Sequence, residues 1–86
     1  MHSPEQARRV IEAAMLGISG AATTRDMDYA CQRHEELLAA AGALVGLDLP
    51  IFYAKIGRLL LACARGDKAG AERLALEITR FISFSL

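Results

Sequence analysis

Eighty-six residues suffice for one small domain spanning 1–86, and a chain this short buries only about 60% of the surface its unfolded form exposes. Hydrophobic residues make up 53% of it, an apolar surplus that a small monomer covers poorly and that points to a homodimer or an obligate protein partner. Ten basic side chains balance ten acidic ones, which excludes the basic footprint that nucleic-acid binding demands. The balance hides an asymmetry: residues 1–48 hold four arginines and seven carboxylates, leaving them at minus three and the remainder at plus three. Opposed halves attract within one chain or pair head to tail between chains, within the roughly 10 Å over which salt leaves exposed charges in contact.

The first helix is well announced. Ser3 is a capping residue, Pro4 suits the first helical position and Gln6 completes a capping-box pattern. Ala7, Val10, Ile11, Ala14, Met15 and Ile18 recur at three and four residues opposite Arg8, Arg9 and Glu12. Gly17 and Gly20 predict an end near residue 18. A capping hydroxyl at Thr23 or Thr24, followed by Asp26 and Asp28, predicts a second helix running to about Val45. Its apolar positions Met27, Ala30, Cys31, Leu37, Leu38, Ala41, Leu44 and Val45 keep a seven-residue rhythm, with His34 where an apolar residue is expected. Ala39, Gly42 and Gly46 form a strip of small residues that predicts a tight helix crossing.

Gly46 and Pro50 mark a turn, and a third helix follows over about 50–65. Its segment IFYAKIGRLLLACA, from Ile51 to Ala64, is apolar on nearly every side except at Lys55 and Arg58. A helix of that kind needs cover on several faces, so the bundle is expected to form around it and a second chain to supply what is missing. Gly66 and Asp67 predict a helix stop and an immediate restart, hence a very tight antiparallel turn. The fourth helix, about 68–84, places Ala71, Leu74, Ala75, Ile78, Phe81 and Ile82 on one face, with Arg73, Glu77 and Arg80 opposite at salt-bridge spacings. No segment alternates for long, so no strand competes. The fold expected is all-α, a small up-and-down bundle of three to four helices completed by dimerisation.

Little in the chain carries chemistry. Cys31 and His34 share a helix side and supply half a metal site, but no second close pair exists to complete one; neither metal nor cofactor is expected, and Cys31 and Cys63 read as buried free thiols. Glu35 and Glu36 are adjacent and point in different directions, unlike a catalytic pair, and with no nucleophile beside a base and no phosphate-binding glycine loop, an enzyme is not expected. The start, MHSPEQARRV, lacks an apolar signal core, and the longest apolar run, Leu37 to Leu47, falls short of the roughly 20 residues of a membrane span. A soluble cytoplasmic protein without membrane association follows.

Two resemblances bear on function. His34 halfway along a helix, the small residues AAAGALVG after it and a helix ending ACARGD are loosely similar to the histidine-phosphotransfer family, which implies a helical bundle with a phosphorylated histidine at position 34. The sequence departs from that family at Glu35 and Glu36, where a lysine and a glycine normally follow, and their charge repels phosphate. Residues 52–82 resemble one tetratricopeptide-type hairpin through Gly66, Asp67 and Ala71, although Ala62 stands where that family usually has an aromatic; one hairpin alone does not bury its own face. A helical DNA-binding regulator would need a basic recognition helix, which is missing. The reading that remains is a small bacterial-type interaction module, an adaptor, regulator or chaperone-like protein, with a histidine-phosphotransfer-like signalling domain centred on His34, active or inactive, as the alternative. Its partner surface is expected on the third and fourth helices, at Phe52, Leu59, Leu60 and Phe81, with Phe84 and Leu86 docked at the C-terminal end.

Overall fold

The Ser3 hydroxyl accepts from the Gln6 amide at 3.2 Å while the Gln6 side chain accepts from the Ser3 amide at 3.1 Å, so the capping box forms as the sequence predicts. Helix α1 (Pro4–Ala21) runs past the expected stop near residue 18. Ile18, Ser19 and Ala21 are buried on the same face as Ala7, Ile11, Ala14 and Met15, and that burial outweighs the cost of about 1 kcal/mol that each glycine brings to a helix interior. The computed structural model describes residues 3–85, the side chains of Phe84 and Ser85 excepted.

Helix α2 (Met27–Ala41) is shorter at both ends than the periodicity predicts. Arg25 adopts a left-handed φ of 54°, which a helix cannot continue through, and the cap is therefore Asp26, whose carboxylate accepts from the Tyr29 amide at 3.1 Å. At the other end the chain leaves the helix at Gly42 and folds back so that Leu44 and Leu47 both cover the core while Val45 points to solvent. Gly46, at φ 91°, supplies the left-handed residue of that turn. Helix α3 (Leu49–Arg65) starts on Asp48, which accepts from the Ile51 amide at 3.2 Å.

The turn after α3 forms as expected. Gly66 is left-handed at φ 72°, its amide donates to the Cys63 carbonyl at 3.0 Å, and the Asp67 amide donates to the Ala62 carbonyl at 2.9 Å, the paired bonds of a Schellman motif. Asp67 then caps helix α4 (Lys68–Ser85) by accepting from the Gly70 amide at 2.9 Å. Among the described residues these four helices are accompanied by no strand, and the short connections fold them into a small all-α bundle.

The centre of that bundle is α1, not α3. α1 packs most extensively on α2 and also touches α3 and α4, whereas among the described residues α2 and α4 do not meet and α2 touches α3 only lightly. The helices therefore form a ring in chain order, with α1 reaching across it. Gly17 explains the close α1–α2 crossing: a Cβ there would lie 3.0 Å from the Tyr29 hydroxyl and 3.2 Å from the Arg33 side chain, which itself stacks over the Tyr29 ring at 5.1 Å. The predicted small-residue crossing at Ala39 and Gly42 is absent, because both are exposed; the close-packed small residues of α2 are Ala30, Ala40 and Ala41, on the adjacent face. The α4 salt bridges expected along Arg73, Glu77 and Arg80 are likewise replaced by an inter-helix pair, Lys55 to Glu77 at 2.9 Å.

The restart at Asp67 yields a test. A methyl group on Gly70 would collide with the Asp67 carboxylate that caps the helix, so Gly70→Ala is expected to destabilise by about 1 kcal/mol, the usual value of a cap, although alanine is the better helix former. Urea denaturation of the variant beside Asp67→Ala checks this; a stabilised Gly70→Ala would show that the cap contributes nothing.

Candidate functional site

The helical register of α3 splits its apolar surplus. Phe52, Ile56, Leu59, Ala62 and Cys63 turn inward, while Tyr53, Gly57 and Leu60, at four- and three-residue steps, form a stripe on another side. Across from this stripe α2 supplies His34 and Leu38, and the five residues line an open groove of about 550 Å³. Tyr53 keeps 45% of its surface and the neighbouring Leu61 keeps 49%, values that matter because they leave an aromatic and a leucine of one short helix half in water. The groove floor at Gly57 is bare backbone: a Cβ added there meets nothing within 4 Å.

Outside the groove lining, the exposed charges that hold no partner differ in sign between the two helices, and the charge of Arg58 also reaches Glu77 on α4. Asp28 and Glu35 are exposed on α2, and Arg58 and Arg65 are exposed on α3. None of the four is in an ion pair among the described residues. The pairs that do form lie elsewhere: Arg33 with Glu36 at 2.7 Å within α2, and Lys55 with Glu77 across α3 and α4. The Lys55 ammonium also sits 5.4 Å from the centre of the Phe81 ring. Its hydrogen bond to Glu77, and then its charge, hold the Glu77 carboxyl below the usual range.

The candidate residues are thus divided. Leu60 lines the groove. Phe81 is half-buried against the core under Lys55. Phe52 and Leu59 are fully enclosed by the chain itself and present no surface to a partner, because a helix that must fill its own core spends its inward positions there. The Phe84 side chain and Leu86 lie outside the described residues. His34 stands half-buried at the edge of the apolar stripe, where the seven-residue rhythm places it, with Leu38, Tyr53, Gly57 and Leu60 as groove neighbours.

Only one of the two thiols is buried. Cys63 is enclosed, and burial first, then the negative charges of Asp26 and Cys31, push its pKa up; Cys31 is exposed. Among the described residues no group of three or more His, Cys, Asp and Glu side chains is placed to hold a metal ion, and no helix is long and apolar enough to cross a membrane.

A second groove, of about 310 Å³, runs between α1 and α4 and is lined by Glu12, Met15, Leu16, Ser19, Glu72, Ala75, Leu76 and Thr79. Periodicity alone passes over it. Its signal in the sequence is Leu16 and Leu76, each a leucine outside the apolar stripe of its own helix. Compared with protein-family models, with curated proteins and with solved structures, the chain matches none.

Two outcomes are expected from this geometry. Because a Cβ at Gly57 meets open space, Gly57→Ala should raise stability by about 0.5 to 1 kcal/mol through helix propensity, read as a higher melting temperature; a lower one would mean that the position is covered. A thiol reagent applied to the native protein should label Cys31 at once and Cys63 only at the rate of unfolding, whereas equal labelling of both would show that the α2–α3 seam opens freely.

Proposed function

We propose that the chain is a small, non-enzymatic protein-interaction module, an adaptor or regulator, whose α2–α3 face joins a second copy of itself. The observation that carries this reading is the half-exposed apolar stripe of α3 beside His34 and Leu38. Exposed apolar residues scattered singly are ordinary, but a contiguous set around a groove marks an interaction face.

The choice of a second copy rests on charge. His34 and Leu38 of α2 line the groove together with Tyr53, Gly57 and Leu60 of α3. A two-fold axis parallel to these helices lays α2 of one copy over α3 of the other and preserves their levels. In this register α2, whose unpaired exposed charges Asp28 and Glu35 are acidic, comes to α3, whose Arg58 and Arg65 are basic, and the pairing of helices occurs twice, as an isologous interface requires. These rim pairs supply little affinity, about 0 to 1 kcal/mol each, but they select orientation and disfavour other partners. Affinity comes from burying Tyr53, Leu38, Leu60 and Leu61, with Gly57 letting the two layers approach closely. Completion of the apolar cover by a second chain also answers the surplus seen in the composition.

The phosphotransfer alternative has less support. Groove residues around His34 include no lysine or arginine to neutralise the charge of a phosphoryl group on the imidazole, and Glu35 and Glu36 stand exposed beside it.

Sedimentation equilibrium at micromolar concentration is expected to return twice the chain mass of 9.3 kDa. Gly57→Glu, which puts a charge in the groove without touching the fold, should give a folded monomer. Arg58→Glu should weaken association, and Glu35→Arg combined with Arg58→Glu should restore it. A wild-type monomer throughout this range, or a Gly57→Glu variant that still dimerises, would overturn the reading.

A further inference from the structure

We infer that the groove between α1 and α4 is a second docking face, on the opposite side of the ring, and that its occupant is an amphipathic helical segment of another protein with lysine or arginine flanking its apolar side chains. The floor is Met15 and Ala75, both buried, and the walls rise to Leu16 and Leu76, which keep 71% and 53% of their surface. Leucines this exposed on two adjoining helices, facing one furrow, offer the apolar bed into which a third helix lays its own stripe.

Charge decides which helix fits. The furrow is lined by two carboxylates, Glu12 on the α1 rim and Glu72 on the α4 rim, and by no lysine or arginine. Three other glutamates of the chain hold a cation, Glu5 with Arg9 at 2.8 Å, Glu36 with Arg33 and Glu77 with Lys55. Among the described residues Glu12 and Glu72 hold none, although Arg8 stands one turn before Glu12. Unpaired carboxylates on both rims of an apolar bed complement a basic-flanked amphipathic segment and repel an acidic one. They also count against a second copy at this place, since self-association would bring two carboxylates from each chain into the seam with no cation between them. An anionic membrane surface is disfavoured for the same reason.

The test uses two labelled synthetic helical peptides that share a leucine stripe, one flanked by lysines and the other by glutamates. Fluorescence anisotropy with the intact protein is expected to show binding of the lysine peptide only, with amide shifts in the NMR spectrum centred on Leu16 and Leu76. Glu12→Gln combined with Glu72→Gln should weaken it about fivefold, the range of exposed ion pairs, and Glu12→Lys with Glu72→Lys should transfer preference to the glutamate peptide. Circular dichroism melting of each variant separates lost binding from lost fold. Equal binding of the two peptides, binding of neither, shifts confined to the α2–α3 groove, preferential capture by anionic vesicles, or a change in sedimentation on Leu16→Asp would each overturn the inference. Because sedimentation reports on the α2–α3 face and the peptides on the α1–α4 furrow, failure of one leaves the other standing.

Discussion

The rest of the structure depends on the close crossing of α1 and α2. Gly17 leaves room for the Tyr29 ring and the Arg33 side chain, and five alanines of the two helices, Ala7, Ala14, Ala30, Ala40 and Ala41, are fully or almost fully buried. Small side chains bring helix axes together, and contacts made at short range gain dispersion energy along their whole length. With α2 held so close to α1, its remaining surface reaches α3 only lightly. The ring closes on α1, and α3 is left with one face inside the core and another in water. The α2–α3 groove is thus a consequence of how well the first pair packs.

This also explains why the most apolar helix is not the most buried one. α3 has enough apolar positions to be surrounded, yet among the described residues three other helices accompany it and must also cover each other. Small domains bury a limited share of their surface, and the residue of that shortfall is visible at Tyr53, Leu61, Leu16 and Leu76. Tyr53 lines one furrow and Leu16 and Leu76 line another, while Leu61, Val45, Ile51 and Tyr29 stand exposed outside both. A lining with His34 and no acidic, lysine or arginine side chain in one, and the carboxylates of Glu12 and Glu72 in the other, make the two furrows chemically different. A module that used both would join its own copies on one side and hold a basic segment of another protein on the other.

The fate of individual residues shows where local pattern stops being informative. Cys31 and Cys63 occupy similar apolar contexts in sequence, yet one is exposed and the other enclosed with a raised pKa. Phe52 and Leu60 lie on one helix, and only the second reaches a groove. Glu77 has arginines at helical spacing on its own helix, but Lys55 of α3 takes it, because the antiparallel turn at Gly66 and Asp67 brings the two helices side by side. Each of these outcomes turns on angular position around a helix relative to a neighbour, a quantity that a list of apolar spacings leaves open by a third of a turn or more.

Local structures whose causes lie within a few residues are legible from the chain alone: the Ser3 and Gln6 capping box, the Gly66 stop with its Asp67 restart, the four helices and the all-α class, since caps and 3.6-residue periodicity act through backbone amides and neighbouring side chains. The early break at Arg25 and Asp26 and the run of α1 through Gly17 and Gly20 already needed more, because there a turn conformation and tertiary burial overrode propensity. Packing among the helices, by contrast, makes α1 the central one, spends Phe52 and Leu59 inside while Tyr53, Gly57 and Leu60 line a groove, and leaves Glu12 and Glu72 in a furrow whose described lining has no lysine or arginine. The physical reason is that burial and charge pairing are properties of helix pairs, and which pairs form depends on the competition of all four helices for one small core.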